Sequence, residues 1–293
     1  MLKIDGRQSG VMTLQRARLA QDKNVQSVFS EVLQNAGRVG YASAEVSETT
    51  DSTDHSLDVA GGIAPLADRV QASWDSWYRT ELLGRYASKE APADLGDTFG
   101  NVLAKAYDAG AYIEPKSFLK SLSEDELKAV QNAHWLADGI QVDSLTEEGA
   151  LNLLIPPAAQ VDLNRDGLTQ SGAAYGIRFP DSTTPATVTA AWEQATDGMP
   201  FEQRMIYELE MKLPVLFANF ITDADGRVVS SRAPGHPDFV NPMTADDYSY
   251  VKVTQDWMEH LDYFKNQIDP DRYARDMDFW TTFQQDLRDN GAA

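Results

Sequence analysis

The chain has 293 residues, 45 of them acidic and 25 basic, with a formal net charge of −20 and no cysteine. Such a field repels nucleic-acid phosphates and anionic lipid, and no lysine/arginine cluster offsets it, so neither is expected as a partner. The lack of thiols excludes disulfides, thiolate metal sites and a cysteine nucleophile, while 42% hydrophobic residues, six tryptophans among them, are enough for a sizeable core.

No apolar run reaches the ~18–20 residues that a membrane-spanning helix needs. The opening, MLKIDGRQSGVMTLQRARLAQDKNVQ, has no apolar signal-peptide region. The chain is therefore expected to be cytoplasmic or exported by a route without such a signal. Two short amphipathic patterns follow, around Val11–Ala20 and Val25–Ala36. In the second, Val25, Val28, Phe29, Val32 and Ala36 share one helical face. Then comes YASAEVSETTDSTDHSLDVAGG, rich in Ser, Thr and Asp, a composition that buries too little apolar surface to offset ordering entropy. Residues 1–64 accordingly read as a flexible arm and linker, with the Val25–Ala36 face free to dock on a protein partner.

From Pro65 the helical period is strong. Leu66, Val70, Trp74, Trp77, Tyr78, Leu82 and Tyr86 keep steps of three and four, an aromatic stripe that faces a core. A second helix spans about Leu95–Ala109, closed by Gly110. Pro115 opens a short helix. Ser123 and Glu126 have capping-box spacing and start another helix that runs toward Gly139. Ser144 and Glu147 repeat that spacing before Leu151 and Leu154, and Pro156-Pro157 ends the helix. Between Ala158 and Thr187 the period disappears, and an irregular or hairpin-like insert is expected. Helices follow at about Val188–Ala195 and Pro200–Phe220, the latter carrying Met205, Ile206, Leu209, Leu213, Leu216 and Phe217. FITDADGRVVSSR reads as a β-hairpin with Asp-Gly at its turn. Two long helices end the chain, one capped by Thr244 and Asp247, the other opened by Asp269-Pro270. The fold class is mainly α, a single multi-helix domain over 65–293 with one or two small β-hairpin inserts.

The insert contains QVDLNRDGLTQSG, with Asp162, Asn164 and Asp166 at alternate positions and Gly167 next. This half-loop resembles EF-hand and dockerin-type calcium loops. The resemblance covers about a dozen residues. It implies Ca²⁺ held by Asp162, Asn164, Asp166, the Leu168 carbonyl and Gln170. The bidentate carboxylate that closes such loops is missing, since Ala173 stands in its place. A borrowed carboxylate from Glu147, Glu148, Asp181, Asp223 or Asp225 is required, and the affinity expected is on the order of 10⁻⁴ M or poorer. The alternative is a metal-free turn stabilised by its own Asx side chains. Asp223-x-Asp225-Gly226 repeats the motif in miniature and reads as a hairpin turn.

Catalytic signals are sparse. The four histidines are scattered: His55 in the linker, His134 on a helix, His236 in a Pro/Gly-rich loop, and His260 outside any His-Glu-x-x-His pattern. No nucleophile elbow or phosphate loop is present. Pairs of acids that would serve a glycosidase, Glu81 among them, are too common here to discriminate. The expectation is a non-enzymatic helical interaction protein with a structural Ca²⁺ loop. The alternatives are a polymer-acting, muramidase-like hydrolase using two carboxylates, and a phage or surface-appendage assembly component.

Overall fold

The computed structural model describes residues 6–38, 64–82 and 84–292. The Ser/Thr/Asp-rich linker and His55 lie outside the described residues. Within them are ten α-helices and two small antiparallel hairpins, as the periodicity predicts. The chain divides into two compact units, residues 1–176 and 177–293, each with its own buried core. No helix among the described residues is long and apolar enough to cross a membrane.

The first unit begins with α1 (Gly6–Asn35), one continuous 30-residue helix where the sequence suggests two short patterns. Here the expectation of a mobile arm is corrected. Val25, Val28, Phe29, Val32 and Leu33 are all at most 5% exposed and belong to the core of the unit. The stripe is satisfied intramolecularly, by α2 (Leu66–Glu81), so it is not a free docking face. Polar contacts fix the seat: Trp77 Nε1 donates to Asp22 (2.6 Å), Arg69 pairs with Glu31 (2.6 Å), and Gln26 donates to the Ala158 carbonyl (3.0 Å).

Helix α2 buries Val70, Trp74, Trp77 and Tyr78, and of these Trp74 and Tyr78 pack on α3 (Pro92–Asp108). The two helices approach closely because α3 presents glycines there. A Cβ on Gly96 would overlap the Tyr78 ring, and one on Gly100 would lie 3.0 Å from Trp74 Cδ1. Trp74 Nε1 donates to the Gly96 carbonyl (2.9 Å), so the buried indole is satisfied at the same contact. Tyr86 lies beyond the end of α2 but still enters the core, its hydroxyl donating to the Ala133 carbonyl (2.7 Å).

Short elements complete the unit. After α4 (Pro115–Ser121), α5 (Glu124–Ala133) starts at the Ser123/Glu126 capping box, with both reciprocal bonds formed. It stops at Ala133, short of Gly139, because Trp135 adopts a left-handed φ of 57° and turns outward. Helix α6 (Glu147–Leu151) is capped by Thr146, whose hydroxyl accepts the Gly149 N–H (2.9 Å), and not by Ser144. The hairpin of β1 (Thr169–Ser171) and β2 (Ala174–Gly176) closes the unit.

The second unit packs α10 (Pro270–Asp289) against α9 (Tyr250–Phe264) and α7 (Ala186–Ala195). Asp269 caps α10 through the N–H groups of Asp271 and Arg272, and Ser249, rather than Thr244 or Asp247, caps α9. Helix α8 (Phe201–Ala218) contributes Tyr207, Met211 and Val215 to the core, with Tyr207 stacked on Phe279 at 3.7 Å. Lys212 is fully buried and ion-paired with Asp181, which also accepts the Thr183 N–H (2.7 Å). Beyond α8, β3 (Phe220–Thr222) and β4 (Val228–Ser231) form the Asp-Gly hairpin read from the sequence.

Because Phe29 is fully buried, Phe29→Ala should destabilise the first unit by about 3–5 kcal/mol. Urea unfolding with a far-UV readout measures this; a change below about 0.5 kcal/mol would mean that α1 does not belong to that core.

Candidate functional site

The acidic loop is built from both ends. Asn152, fully buried, donates through Nδ2 to the Val161 and Gln170 carbonyls (2.7 Å each) and accepts the Val161 N–H (2.8 Å). Glu148, one helical turn earlier, accepts the N–H groups of Leu163 (3.0 Å) and Gln170 (2.7 Å). These two side chains, four apart on one face, therefore hold residues 161–170 as a closed loop. Close backbone contact between Gly149 and Gly172, whose N–H reaches the Gly149 carbonyl (2.9 Å), locks the hairpin beside α6.

Inside the loop Asn164 and Asp166 form successive Asx turns, and Asp162 spans the loop from its start to Gly167. Asp162 Oδ2 accepts the Gly167 N–H (2.9 Å), Asn164 Oδ1 that of Asp166 (3.1 Å), and Asp166 Oδ1 that of Leu168 (2.9 Å). Gly167 holds φ 82°, as the tight reversal requires. Asp162 is buried, Asn164 and Asp166 line the exposed side, and Leu168 is buried. The Gln170 side chain turns to Thr146, whose hydroxyl donates to its Oε1, and its backbone lies in β1. Of the carboxylates considered for borrowing, Glu148 is the one brought to the loop. Glu147 instead pairs with Arg38, and Asp181, Asp223 and Asp225 belong to the second unit. Among the described residues no three His, Asp or Glu side chains converge in metal-ligating geometry. A cation here would draw on the mixed set of two aspartates, an amide oxygen and a carbonyl, a donor type that suits Ca²⁺.

Glu148 carries the electrostatic signature of the loop. Burial, and then the nearby Asp162 and Asp166 charges, push its carboxyl up to about 7 against the two N–H bonds that favour the ion.

A second concave feature has no motif in the sequence. A pocket of about 320 Å³ lies among α8, α9 and α10, with Glu210, Trp257, His260, Phe264, Arg272 and Asp276 on its walls. Trp257 stacks on Trp280 (5.6 Å, 5° between planes), and His260 packs against Phe264 (4.7 Å). Asp276 accepts from Tyr207 Oη (2.8 Å), Arg272 Nε (3.2 Å) and Arg275 Nε (3.2 Å). Glu210 accepts no hydrogen bond from the described residues, and burial, with the Asp276 charge next and Arg272 opposing, raises it to about 7. Its only signal in the sequence is the three-to-four spacing of Trp257, His260, Leu261 and Phe264 and of Arg272, Asp276 and Trp280. That spacing gives each face but not the pairing of the faces.

The other residues singled out by sequence have modest settings. His134 is half-buried, 3.1 Å from Gln160 Nε2 and edge-on to Phe99 (5.5 Å). His236 is exposed and accepts the Asp238 N–H of its own loop (3.1 Å). Asp223 Oδ1 accepts the N–H groups of Asp225 (3.0 Å) and Arg227 (2.9 Å), a hairpin turn as expected. Glu81 is paired with Arg18 (3.2 Å).

A carboxyl with a raised folded-state value binds its proton more tightly folded than unfolded, so the stability it contributes falls as pH rises from its ordinary value of 4.5 to about 7. In EDTA, wild type should lose roughly 3 kcal/mol more than Glu148→Gln between pH 4.5 and 8. Urea titrations at both pH values measure it, and parallel curves would contradict the assignment. Comparison with protein-family models, with curated proteins and with solved structures finds no match to this chain.

Proposed function

We propose that this chain is a non-enzymatic helical interaction protein whose binding surface is the outer face of α8 and the β3–β4 hairpin. The observation that carries it is a set of exposed apolar side chains along α8 and the hairpin that follows it. Met205, Ile206 and Leu209 on α8 stand outward, on the side away from Tyr207, Met211 and Val215. Phe217, 60% exposed, touches Phe220 (ring centroids 5.8 Å) and so joins the helix face to the hairpin. In the hairpin every residue of both strands is exposed, including Ile221, Val228 and Val229. A two-stranded hairpin is marginal in water without further packing, and each of its outer edges offers unpaired backbone groups. Isolated exposed apolar residues need no explanation, but a patch of this extent on one helix and one hairpin marks a contact surface.

The occupant is an extended segment of another protein, alternating apolar and basic residues, added as a strand to the hairpin. The net charge of −20 selects for basic flanks and disfavours a second copy of the same acidic chain. A labelled nonapeptide of alternating Val and Lys should bind the full chain, its Val/Glu counterpart should not, and Val229→Lys should weaken binding on the order of tenfold. Fluorescence anisotropy measures all three. Equal binding of both peptides would sink the proposal, and concentration-dependent mass in light scattering would replace the foreign strand by a second copy, as an assembly component requires.

The acidic loop serves this module as a brace for the first unit, with Asp162, Asn164, Asp166 and the Leu168 carbonyl as Ca²⁺ donors. The repulsion among Asp162, Asp166 and Glu148 supports that reading, because a divalent cation opposes the desolvation and like-charge cost felt by Glu148. With a dissociation constant near ~0.1 mM, 10 mM CaCl₂ should add about 2.7 kcal/mol, a rise of roughly 5–10 °C in Tm over EDTA. Equal MgCl₂ should not match it, and Asp162→Ala/Asp166→Ala should abolish it. An unchanged Tm in wild type would reduce the loop to a self-stabilised turn.

The hydrolase alternative finds one feature in its favour, a concave pocket with a carboxyl of raised affinity for its proton. Its second carboxylate, Asp276, is committed to three donors. Two-carboxylate chemistry needs both groups disposed toward substrate, so the interaction reading is preferred.

A further inference from the structure

The α8–α9–α10 pocket contains features that the interaction surface does not use. We infer that it is a binding site for an organic cation, a primary or alkylated ammonium group carried on an aliphatic chain.

Size comes first. About 320 Å³ falls at the lower end of the range for small-ligand sites, room for a short side chain or a small amine rather than a cofactor. The walls are next. Trp257 and Phe264, with His260 between them along α9, give aromatic surface on one side. Leu261 and Ile268 add aliphatic surface suited to a methylene chain. Aromatic rings attract a desolvated cation through their quadrupole and give an anion nothing comparable.

Charge then selects the sign. Among the lining side chains Asp276 and Arg272 pair and cancel on α10, while Arg275 and Tyr207, the other donors to Asp276, are not part of the lining. Arg272 is more than half exposed, at the rim. Glu210 remains, facing the pocket from α8 without a hydrogen-bond donor among the described residues. A carboxylate in this position is costly unless a positive group joins it, and an ammonium supplies both charge and N–H donors. The raised proton affinity of Glu210 has the same origin, a carboxyl short of a partner. An anionic ligand would meet Glu210 at close range. A neutral one would leave its desolvation uncompensated. The overall charge of the chain also concentrates cations around it.

This inference is independent of the α8–hairpin reading, since Glu210 is half-buried in the pocket and is not part of the exposed patch. The test uses the full chain at pH 8 with n-butylammonium chloride as probe, n-butanol as its neutral counterpart and sodium butyrate as its anionic one. Tryptophan emission and saturation-transfer NMR report binding. Butylammonium should bind on the order of tenfold more tightly than butanol, and butyrate more weakly than either. Glu210→Gln should lower butylammonium affinity on the order of tenfold and leave butanol unchanged. Ile268→Trp, which fills the pocket, should remove both. Circular dichroism and Tm confirm that each variant is folded. Equal affinity for butylammonium and butanol, a preference for butyrate, no binding of any probe, or full cation affinity in Glu210→Gln would each overturn the assignment.

Discussion

Burial of indole rings is the interaction on which both units depend. Trp74 and Trp77 in the first unit, and Trp192 and Trp280 in the second, are among the largest fully buried side chains. Each removes a large apolar area from water, and ring–ring contacts add about 0.5–1.5 kcal/mol per pair. The surrounding architecture is arranged to admit them. Gly96 and Gly100 let α3 approach the Trp74 side of α2, and Asp22 on α1 takes the Trp77 N–H. In the second unit Trp280 lies in the core and also stacks on Trp257, so one side chain belongs to the packing and to the pocket wall. The shape of that pocket is thus a by-product of core packing, and it inherits the rigidity of the core.

Features whose signal and consequence are close in the chain are legible in the sequence. The Ser123/Glu126 box, Asp269-Pro270 and the Asp-Gly hairpin each satisfy backbone groups within a few residues, and each forms where expected. Ser144 against Thr146 shows the limit of that logic, because two hydroxyls lie within reach of the same turn and only Thr146 accepts the Gly149 N–H. Periodicity tells that Val25–Ala36 has a face to bury but not against what, so a core helix reads as an arm. Helix α8 fails in the opposite sense. Its apolar residues lie on two faces, and the sequence cannot say that Tyr207, Met211 and Val215 go inward while Met205, Ile206 and Leu209 do not.

The same distinction applies to the sites. The turn-forming oxygens of Asp162, Asn164 and Asp166 are local, and their spacing reveals them. Glu148 and Asn152, which hold the loop from a neighbouring element, act through tertiary contact. Glu210 and Asp276 are far apart in the chain and meet only because α8 and α10 share a core. Each unit thus has a glutamate whose proton affinity is raised by burial. In the first, backbone N–H groups meet it; in the second, the pocket is open to a ligand.

The Lys212–Asp181 pair has a consequence for observing this protein in solution. A lysine with no exposed surface is sheltered from amine-reactive reagents, whereas the other lysines seen in ion pairs, such as Lys105, Lys120 and Lys252, are mostly exposed. Modification at Lys212 therefore requires α8 to part from its surroundings, a large opening because it breaks a buried ion pair. The chain carries a built-in reporter: acylation of one known residue clocks the opening of the second unit, against surface lysines that time the reagent itself.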